Sequence, residues 1–206
     1  MDTSINLEDY CATAFEDGFP NTHNAPWDSI QNLESTVWEL LDTLPEEYDI
    51  SGGVAIHATA IVDPSTIIKE PAIIGKDCFV GPHGLIRGGV IMAEKSSIGA
   101  NCEVKRTVVG AKSHLGHFNF VGDTLVGNNV NVEAGAVIAN HFNERRPKDQ
   151  KIRVRVDDQT IETNVTRFGA VIGDHSKIGA NAVLTPGTLL KPRTIVARLG
   201  LVDQMA

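Results

Sequence analysis

The stretch Gly-His-Phe-Asn-Phe-Val-Gly at positions 116–122 places a histidine directly after a glycine, among small and apolar residues. Further along, residues 144–155 form the most basic run of a chain whose net charge is −8. A histidine side chain is able to accept a proton near neutral pH, and arginine and lysine side chains bind anions. The two features suggest either a general base close to an anion-binding segment or a surface histidine on a repetitive scaffold. The pattern of residues around His117 decides between them.

The composition limits the classes of protein that this chain represents. It has 206 residues, of which 42% are hydrophobic and 21% charged, as in soluble globular proteins. The negative net charge argues against a nucleic-acid partner or an anionic membrane surface, because either would need a basic face. The three cysteines favour a reduced, cytoplasmic protein over a disulfide framework. We expect no signal peptide and no transmembrane helix, because the start is acidic and no apolar run is long enough.

A six-residue repeat dominates the chain from about residue 51. Its apolar positions follow one another at steps of five or six residues, resume after one interruption, and are Ile56, Val62, Ile68, Ile74, Val80, Ile86, Met92, Ile98, Val104, Val109, Leu115, Val121, Val126, Val132, Ile138, Ile172, Ile178, Leu184, Leu190 and Val196. Glycine follows nine of these positions, and a small or β-branched residue stands two before almost every one. Three positional rules held over this length indicate a structural repeat.

The repeat predicts a parallel β-helix built from short strands. Each hexad gives one strand with its aliphatic residue inward, and three hexads close one triangular turn of about 18 residues. We expect glycine to take the strained backbone at the corners. Cys78 and Cys102 occupy the small inward position, so they are interpreted as packing residues and not as reactive thiols.

The first fifty residues lack the repeat and form a predicted N-terminal helical segment, so the chain divides into 1–50 and a β-helix domain at 51–206. Apolar residues spaced three and four apart predict an amphipathic helix over 28–44, capped by Asp28 or Ser29 and stopped by Pro45. A second short helix is predicted around 7–15. We expect the longer helix to cover an end or a flank of the coil, and a partner-binding helix is the alternative.

The repeat is interrupted at about 141–169 by a predicted loop with a small hairpin around Asp157 and Asp158. This insertion is basic in an acidic protein, with cationic side chains at Arg145, Arg146, Lys148, Lys151, Arg153 and Arg155. It is either a solvated loop that balances charge or an arm that binds an anion.

The residues from 87 to 146 carry a resemblance to a known family. The stretch from Gly116 to Asn143 resembles the family pattern Gly-His-Leu-Thr-Tyr-(Leu, Ile or Val)-Gly-Asp, then Gly-x-Asn-Val-Asn-(Ile or Leu)-Gly-Ala-Gly, then Asn-Tyr. It is similar to the C-terminal acetyltransferase domain of the bifunctional N-acetylglucosamine-1-phosphate uridyltransferases and to related sugar-nucleotidyltransferase C-terminal domains. The resemblance implies a left-handed β-helix, acetyl-CoA as co-substrate without a catalytic metal, and a phosphorylated amino sugar similar to glucosamine 1-phosphate as acceptor of the acetyl group on its amine.

The resemblance also implies roles for individual residues. His117 corresponds to the general base, and Asn140 to an asparagine near the acetyl group. The positions that hold the sugar and its phosphate correspond to Arg87, Lys105, Phe120, Asn131 and Arg146. The positions that contact the coenzyme correspond to Ala134, His141, Ala180 and Arg198. Arg87 and Lys105 lie 18 residues apart, at the same point of successive turns, so we expect two stacked and unpaired cations that bind an anion.

Four residues depart from the family pattern and leave the acceptor sugar open. Phe120 and His141 replace tyrosines, Asn119 replaces a threonine, and Glu133 replaces a glycine. The nucleotide-binding half of the bifunctional enzymes is not expected within fifty residues, so we expect no nucleotidyltransferase activity. The resemblance further implies a homotrimer with sites between neighbouring coils.

Three alternatives from other classes remain at this point. A γ-class carbonic anhydrase uses the same coil and three histidines, for which only His83, His114 and His117 would be candidates, at a spacing unlike that family's. A non-catalytic scaffold or ligand-binding β-helix would explain the lost tyrosine and the added Glu133. A sugar O-acetyltransferase would use the same groups on a different acceptor.

Overall fold

The chain forms a left-handed parallel β-helix, as the repeat and the resemblance predict. The computed structural model describes residues 5–11 and 25–205. Within those residues the coil has three faces joined by tight corners, and each strand pairs in parallel with the equivalent strand of the next turn. No helix in this part of the chain is both long and apolar enough to cross a bilayer.

Three stacks of strands make the faces of the coil. The first face consists of Val54–His57, Ala72–Ile74, the second halves of Leu85–Met92 and Glu103–Val109, Leu125–Val126, Ala170–Ile172 and Thr188–Leu190. The second face consists of Ile61–Val62, Phe79–Val80, Ser97–Ile98, His114–Leu115, Asn131–Val132, Lys177–Ile178 and Ile195–Val196. The third face consists of Ile67–Ile68, the first halves of the two long strands, Phe120–Gly122, Val137–Ile138, Val183–Leu184 and Leu201–Val202. Tyr48–Ser51 precedes the coil and pairs antiparallel with Val54–His57.

The predicted inward positions form the interior of the coil. The aliphatic residues of the hexads are buried in one continuous cluster, with those of the first turn partly buried at its open end. Cys78 and Cys102 belong to this cluster, and burial raises the pKa of both thiols. Their interpretation as packing residues is confirmed, because a protonated and buried thiol is a poor nucleophile.

The corner glycines that follow the inward aliphatic residues are required by the stacking of the turns, and for them our expectation of strained backbone is wrong. Gly88, Gly89 and Gly135 confirm it at other corner positions, with φ angles of 71°, 86° and 75°. Left-handed backbone occurs at other corner residues, among them Asn101 and Phe118, whose φ angles are 58° and 57°. At Gly99, by contrast, an added Cβ would lie 2.3 Å from the carbonyl oxygen of Gly116 in the next turn. A side chain at such a position would push successive turns apart and break the parallel pairing.

The N-terminal segment contains two short helices where one long helix was predicted. They are α1, Pro26–Gln31, and α2, Leu33–Leu41, and the chain turns at Asn32 between them. Ala25 is the N-cap residue, so the predicted caps and the stop at Pro45 are wrong. The backbone of Asn32, with φ −91° and ψ 0°, departs from α-helical dihedral angles and ends α1. The spacing of the apolar residues does not reveal this break. Within the predicted helix at 7–15, the structure has a 3₁₀ turn at Leu7–Asp9, and residues 12–15 lie outside the described residues.

The helices cover a flank of the coil. Ile30, Leu33 and Val37 are fully buried against the outward side chains of the first face, which are apolar at Ile73, Ile91, Val108 and Leu125. Gly89 permits the contact, since an added Cβ would lie 2.8 Å from the Cα of Glu34. The first face is thus occupied, and the site residues lie on the other two faces and their corners.

The insertion runs from residue 139 to residue 169, between the strands that end at Ile138 and begin at Ala170. Its hairpin is present as Arg153–Val156 paired antiparallel with Gln159–Glu162, which confirms the prediction. The ring of Phe168 packs edge-on against Trp27 at a centroid distance of 6.1 Å. The end of the insertion is therefore held against α1, beside the corner where the third face meets the first.

Candidate functional site

The predicted site residues lie mainly on two edges of the three-sided coil. We name these edges after their chemistry. The histidine edge, between the second and third faces, consists of residues 116–119, 133–136, 179–182 and 197–200. The cationic edge, between the third and first faces, consists of residues 87–89, 105–106 and 122–124 and the adjoining insertion.

His117 is exposed on the histidine edge, as expected of a residue after a corner glycine. Its Nδ1 atom would lie 2.8 Å from a Cβ at Gly99, so the glycine of the preceding turn makes room for the imidazole. The imidazole has no hydrogen-bond partner among the described residues. A proton acceptor at this position is therefore open to a ligand.

A line of backbone hydrogen bonds joins His117 to three of the predicted coenzyme contacts. The amide of Gly135 donates to the carbonyl of His117 at 2.8 Å, and that of Asn181 donates to Ala134 at 3.0 Å. The amide of Leu199 continues the line by donating to Ala180 at 2.9 Å. Ala134, Ala180 and Arg198 consequently follow His117 in successive turns of one edge.

The cationic edge brings together Arg87, Lys105, Phe120 and Asn140. Arg87 and Lys105 are in register on adjacent strands, which confirms their predicted stacking. An added Cβ at Gly122 would lie 2.9 Å from the Phe120 ring and 2.7 Å from Nδ2 of Asn140. The phenyl ring and the amide therefore meet over Gly122, which is in register with Lys105 in the preceding turn.

Arg87 and Lys105 are each paired with a carboxylate, and our expectation of two unpaired cations is wrong. Nε and Nη2 of Arg87 donate to Oε1 of Glu103 at 2.9 and 2.5 Å. Nζ of Lys105 lies 3.8 Å from Oδ2 of Asp123. The carboxylates come from the next turns of the stack, 16 and 18 residues further along the chain.

Asp123 is the fully buried centre of the cationic edge. Its carboxylate accepts a hydrogen bond from Nδ2 of Asn140 and lies 3.4 Å from Nη1 of Arg106. Its backbone carbonyl accepts from the amide of Gly169 at 2.8 Å, which ties down the end of the insertion. Asp123 thus orients Asn140 and Lys105 together.

The cationic edge keeps an excess of positive charge around Asp123. The pKa of Lys105 is lowered, mainly by burial. The negative charge of Asp123 raises this pKa, whereas the positive charges of three arginines lower it further, namely Arg167, Arg106 and Arg87. Arg87, Lys105 and Arg106 thus pair with two carboxylates, those of Glu103 and Asp123, and Arg167 adds a fourth positive charge nearby. An anionic ligand at this edge would be stabilised by the cations that remain uncompensated.

Four members of the cationic edge were not predicted from the sequence: Glu103, Asp123, Arg106 and Arg167. Two of them could have been found from the sequence. Asp123 corresponds to the aspartate that ends the first part of the family pattern, and Arg106 follows Lys105 directly. Glu103 and Arg167 had no such signal, since their contacts depend on how the turns and the insertion pack.

Glu133, Arg198, Asn131 and Lys177 lie around a groove of about 220 Å³ at the histidine edge. The carboxylate of Glu133 accepts from Nε and Nη2 of Arg198 at 2.8 and 2.7 Å and from the amide of Ala180 at 2.8 Å. These donors lower the pKa of Glu133. Arg198, a predicted coenzyme contact, is therefore engaged by the residue that departs from the family pattern.

The three remaining predicted residues occupy different places in the structure. Arg146 is exposed in the insertion, where it pairs with Asp149 at 2.8 Å. His141 lies at the cationic edge with its Nδ1 3.1 Å from Oδ1 of Asn140, away from the other three coenzyme positions. Asn131 lies on the second face between His114 and Lys177 in register.

Of the three histidines named for a metal site, His117 lies at the histidine edge, His83 lies two turns earlier at the same corner of the coil, and His114 lies on the second face. His83 and His117 are corner residues, whereas Nδ1 of His114 lies 2.7 Å from Oγ of Ser97 on the second face. Within residues 5–11 and 25–205, no three histidine, cysteine or carboxylate side chains are grouped so that one chain could hold a metal ion.

Comparison with known proteins relates the chain to nucleotidylyltransferase/acetyltransferases. Residues 50–143 match the GMPPB C-terminal domain. The bifunctional sugar-1-phosphate nucleotidylyltransferase/acetyltransferase of Sulfurisphaera tokodaii is 33% identical over 79% of this chain and 41% of its own length. The bifunctional protein GlmU of Methanococcus vannielii is 28% identical over 91% of this chain and 45% of its own length. The chain thus spans less than half the length of both relatives.

Among solved structures, a hexapeptide transferase family protein from Anaplasma phagocytophilum aligns over 75% of this chain and 82% of its own, with a TM-score of 0.46 and 19% identity.

Proposed function

Because the chain is an acetyltransferase-like hexapeptide β-helix protein, related to the C-terminal acetyltransferase domains of the sugar-1-phosphate nucleotidylyltransferase/acetyltransferases, we propose that it acetylates the amine of a phosphorylated amino sugar. Acetyl-CoA is the proposed acetyl donor and His117 the general base. The observation that carries the proposal is the open imidazole of His117, which stands in line with Ala134, Ala180 and Arg198 along one edge.

The proposed reaction needs few groups from the protein. The neutral amine attacks the thioester carbon, a carbon–nitrogen bond forms, and the carbon–sulfur bond breaks. His117 accepts the proton that the nitrogen loses and returns it to the departing thiolate, which leaves as coenzyme A. Asn140 is proposed to donate its second amide hydrogen to the developing oxyanion, because the first is held by Asp123.

The phosphate of the acceptor is proposed to bind at the cationic edge. Lys105, Arg106, Arg167 and Arg87 supply more positive charge there than Asp123 and Glu103 neutralise. Arg87 is half-buried and held by Glu103, so its guanidinium is positioned before the ligand arrives. Positioned cations bind a phosphate with less loss of side-chain entropy than free ones.

The two edges are proposed to meet between subunits of a homotrimer. His117 and Lys105 lie at opposite edges of the third face of one chain, with Phe120 between them. A neighbouring coil that sets its cationic edge, with Arg146 and His141, against this histidine edge would complete the site.

We expect light scattering at micromolar concentration to give three times the chain mass of 22.2 kDa. A mass of one chain would contradict the shared site.

The experiment that tests the proposed function is the release of coenzyme A thiol from acetyl-CoA in the presence of amino-sugar phosphates. We expect release with an amino sugar 1-phosphate, much slower release with the unphosphorylated sugar, and none above background with the N-acetylated product. Equal rates with and without an acceptor would mean hydrolysis only and would reject the proposal.

One observation favours a second candidate, a β-helix that binds ligands without catalysis. The salt bridge between Glu133 and Arg198 occupies a predicted coenzyme contact. Ligand binding without any thiol release would support this candidate.

A further inference from the structure

The groove at the histidine edge contains donors arranged for an anion. Two nitrogens of the Arg198 guanidinium and the backbone amide of Ala180 converge on the same carboxylate. A guanidinium fork and a backbone N–H group are the donors that commonly bind phosphate oxygens in proteins. In this chain, however, the group that they hold is the side chain of Glu133.

A second cation lies in the same groove without a partner of its own. Lys177 lines the groove from the adjacent turn and is exposed, and it forms no ion pair with any described residue. Among the residues that line the groove, Glu133 is thus the one carboxylate beside two cations, Lys177 and Arg198. Replacing that carboxylate by a phosphate of higher charge would leave the groove better neutralised.

Glu133 itself is able to leave the groove. Its side chain is about one-third exposed and that of Arg198 about three-quarters, so the ion pair is in contact with water. Exposed ion pairs contribute little to stability. Rotation of the Glu133 side chain towards solvent would free all three donors without disturbing the inward-facing residues Val132 and Ala136 on either side.

We propose that Glu133 is an internal competitor for a phosphate site formed by Arg198, the Ala180 amide and Lys177, and that it sets the affinity of the chain for its phosphorylated ligand. This inference rests on the proposed function only for the identity of that ligand, coenzyme A. The donors are filled by Glu133 in the absence of ligand, and the phosphate binds by displacing it. Glu133 is thus an affinity-determining residue that acts against binding.

Calorimetric titration of the full chain with coenzyme A tests the inference without any turnover. We expect Glu133→Ala to tighten the dissociation constant about fivefold, the factor that corresponds to displacing an exposed ion pair of about 1 kcal/mol. Glu133→Gln should tighten it less, because its amide oxygen still accepts from Ala180. Glu94→Ala is the matched control, since Glu94 pairs with exposed Lys95 away from the groove and its removal changes the net charge equally.

Adenosine 3′,5′-bisphosphate and pantetheine separate the charged and uncharged parts of the ligand. We expect Glu133→Ala to tighten binding of the bisphosphate and to leave pantetheine binding unchanged. Arg198→Ala should abolish the gain when added to Glu133→Ala. Unchanged or weaker binding of coenzyme A by Glu133→Ala would overturn the inference, and so would a gain that survives Arg198→Ala or equals that of Glu94→Ala. Failure of thiol release would reject the proposed reaction but would leave these binding results to decide the inference separately.

Discussion

Replacing His117 with alanine is expected to lower kcat for acetyl transfer by about a hundredfold or more, the lower range for loss of a general base. The imidazole is exposed and contributes no packing to the interior, so the fold and the thermal unfolding temperature should be unchanged. The affinity for acetyl-CoA should also change little, because the imidazole faces the amine. Steady-state rates at saturating concentrations of both substrates give the result.

His83→Ala is the matched control for this prediction. His83 is another exposed corner residue on the same side of the coil, two turns before His117. Its loss should leave kcat within about twofold of the wild-type value, since no role in proton transfer is proposed for it. If His117→Ala retained a third or more of the wild-type rate, His117 would be only a surface residue of the repeat.

Replacing Asp123 with alanine is expected to lower the free energy of unfolding by about 3–5 kcal/mol, the range for breaking a buried ion pair. The change would leave Lys105 and Arg106 without their buried partner and would remove the acceptor of the Asn140 amide. Denaturant unfolding at one fixed protein concentration measures the loss, because oligomer stability depends on concentration.

Asp149→Ala is the control for the loss of an aspartate as such. Asp149 pairs with Arg146 in an exposed part of the insertion, and exposed pairs contribute about 0–1 kcal/mol. A loss at Asp123→Ala no larger than at Asp149→Ala would show that the buried carboxylate does not hold the cationic edge together.

The coil was predictable from the sequence because its period repeats a local rule many times. Each hexad independently requires an inward aliphatic residue and a small neighbour, so one error does not change the fold. The same repetition predicted that Arg87 and Lys105 would stack, since 18 residues return the chain to the same edge. The break at Asn32 was not predictable, because it concerns one residue within an otherwise regular apolar pattern.

The electrostatic partners of the site residues were not predictable from the repeat. Glu103 reaches Arg87 through the orientation of two side chains on neighbouring turns, which periodicity does not specify. Glu133 and Arg198 are 65 residues apart, and they meet only because the insertion leaves the coil and returns in the same register. Glu133 departs visibly from the family pattern in the sequence, but its partners depend on the packing of the turns.

Identification of the acetylated product shows whether the chain transfers an acetyl group to the amine of an amino sugar phosphate. The chain is incubated with isotope-labelled acetyl-CoA and an amino sugar 1-phosphate, and the product is analysed by mass and by treatment with neutral hydroxylamine, which cleaves esters and spares amides. We expect one added acetyl group, stable to hydroxylamine and absent with His117→Ala. A labile acetyl group would indicate O-acetylation, and no labelled product would mean that the chain binds these ligands without transferring the acetyl group; either result would contradict the account.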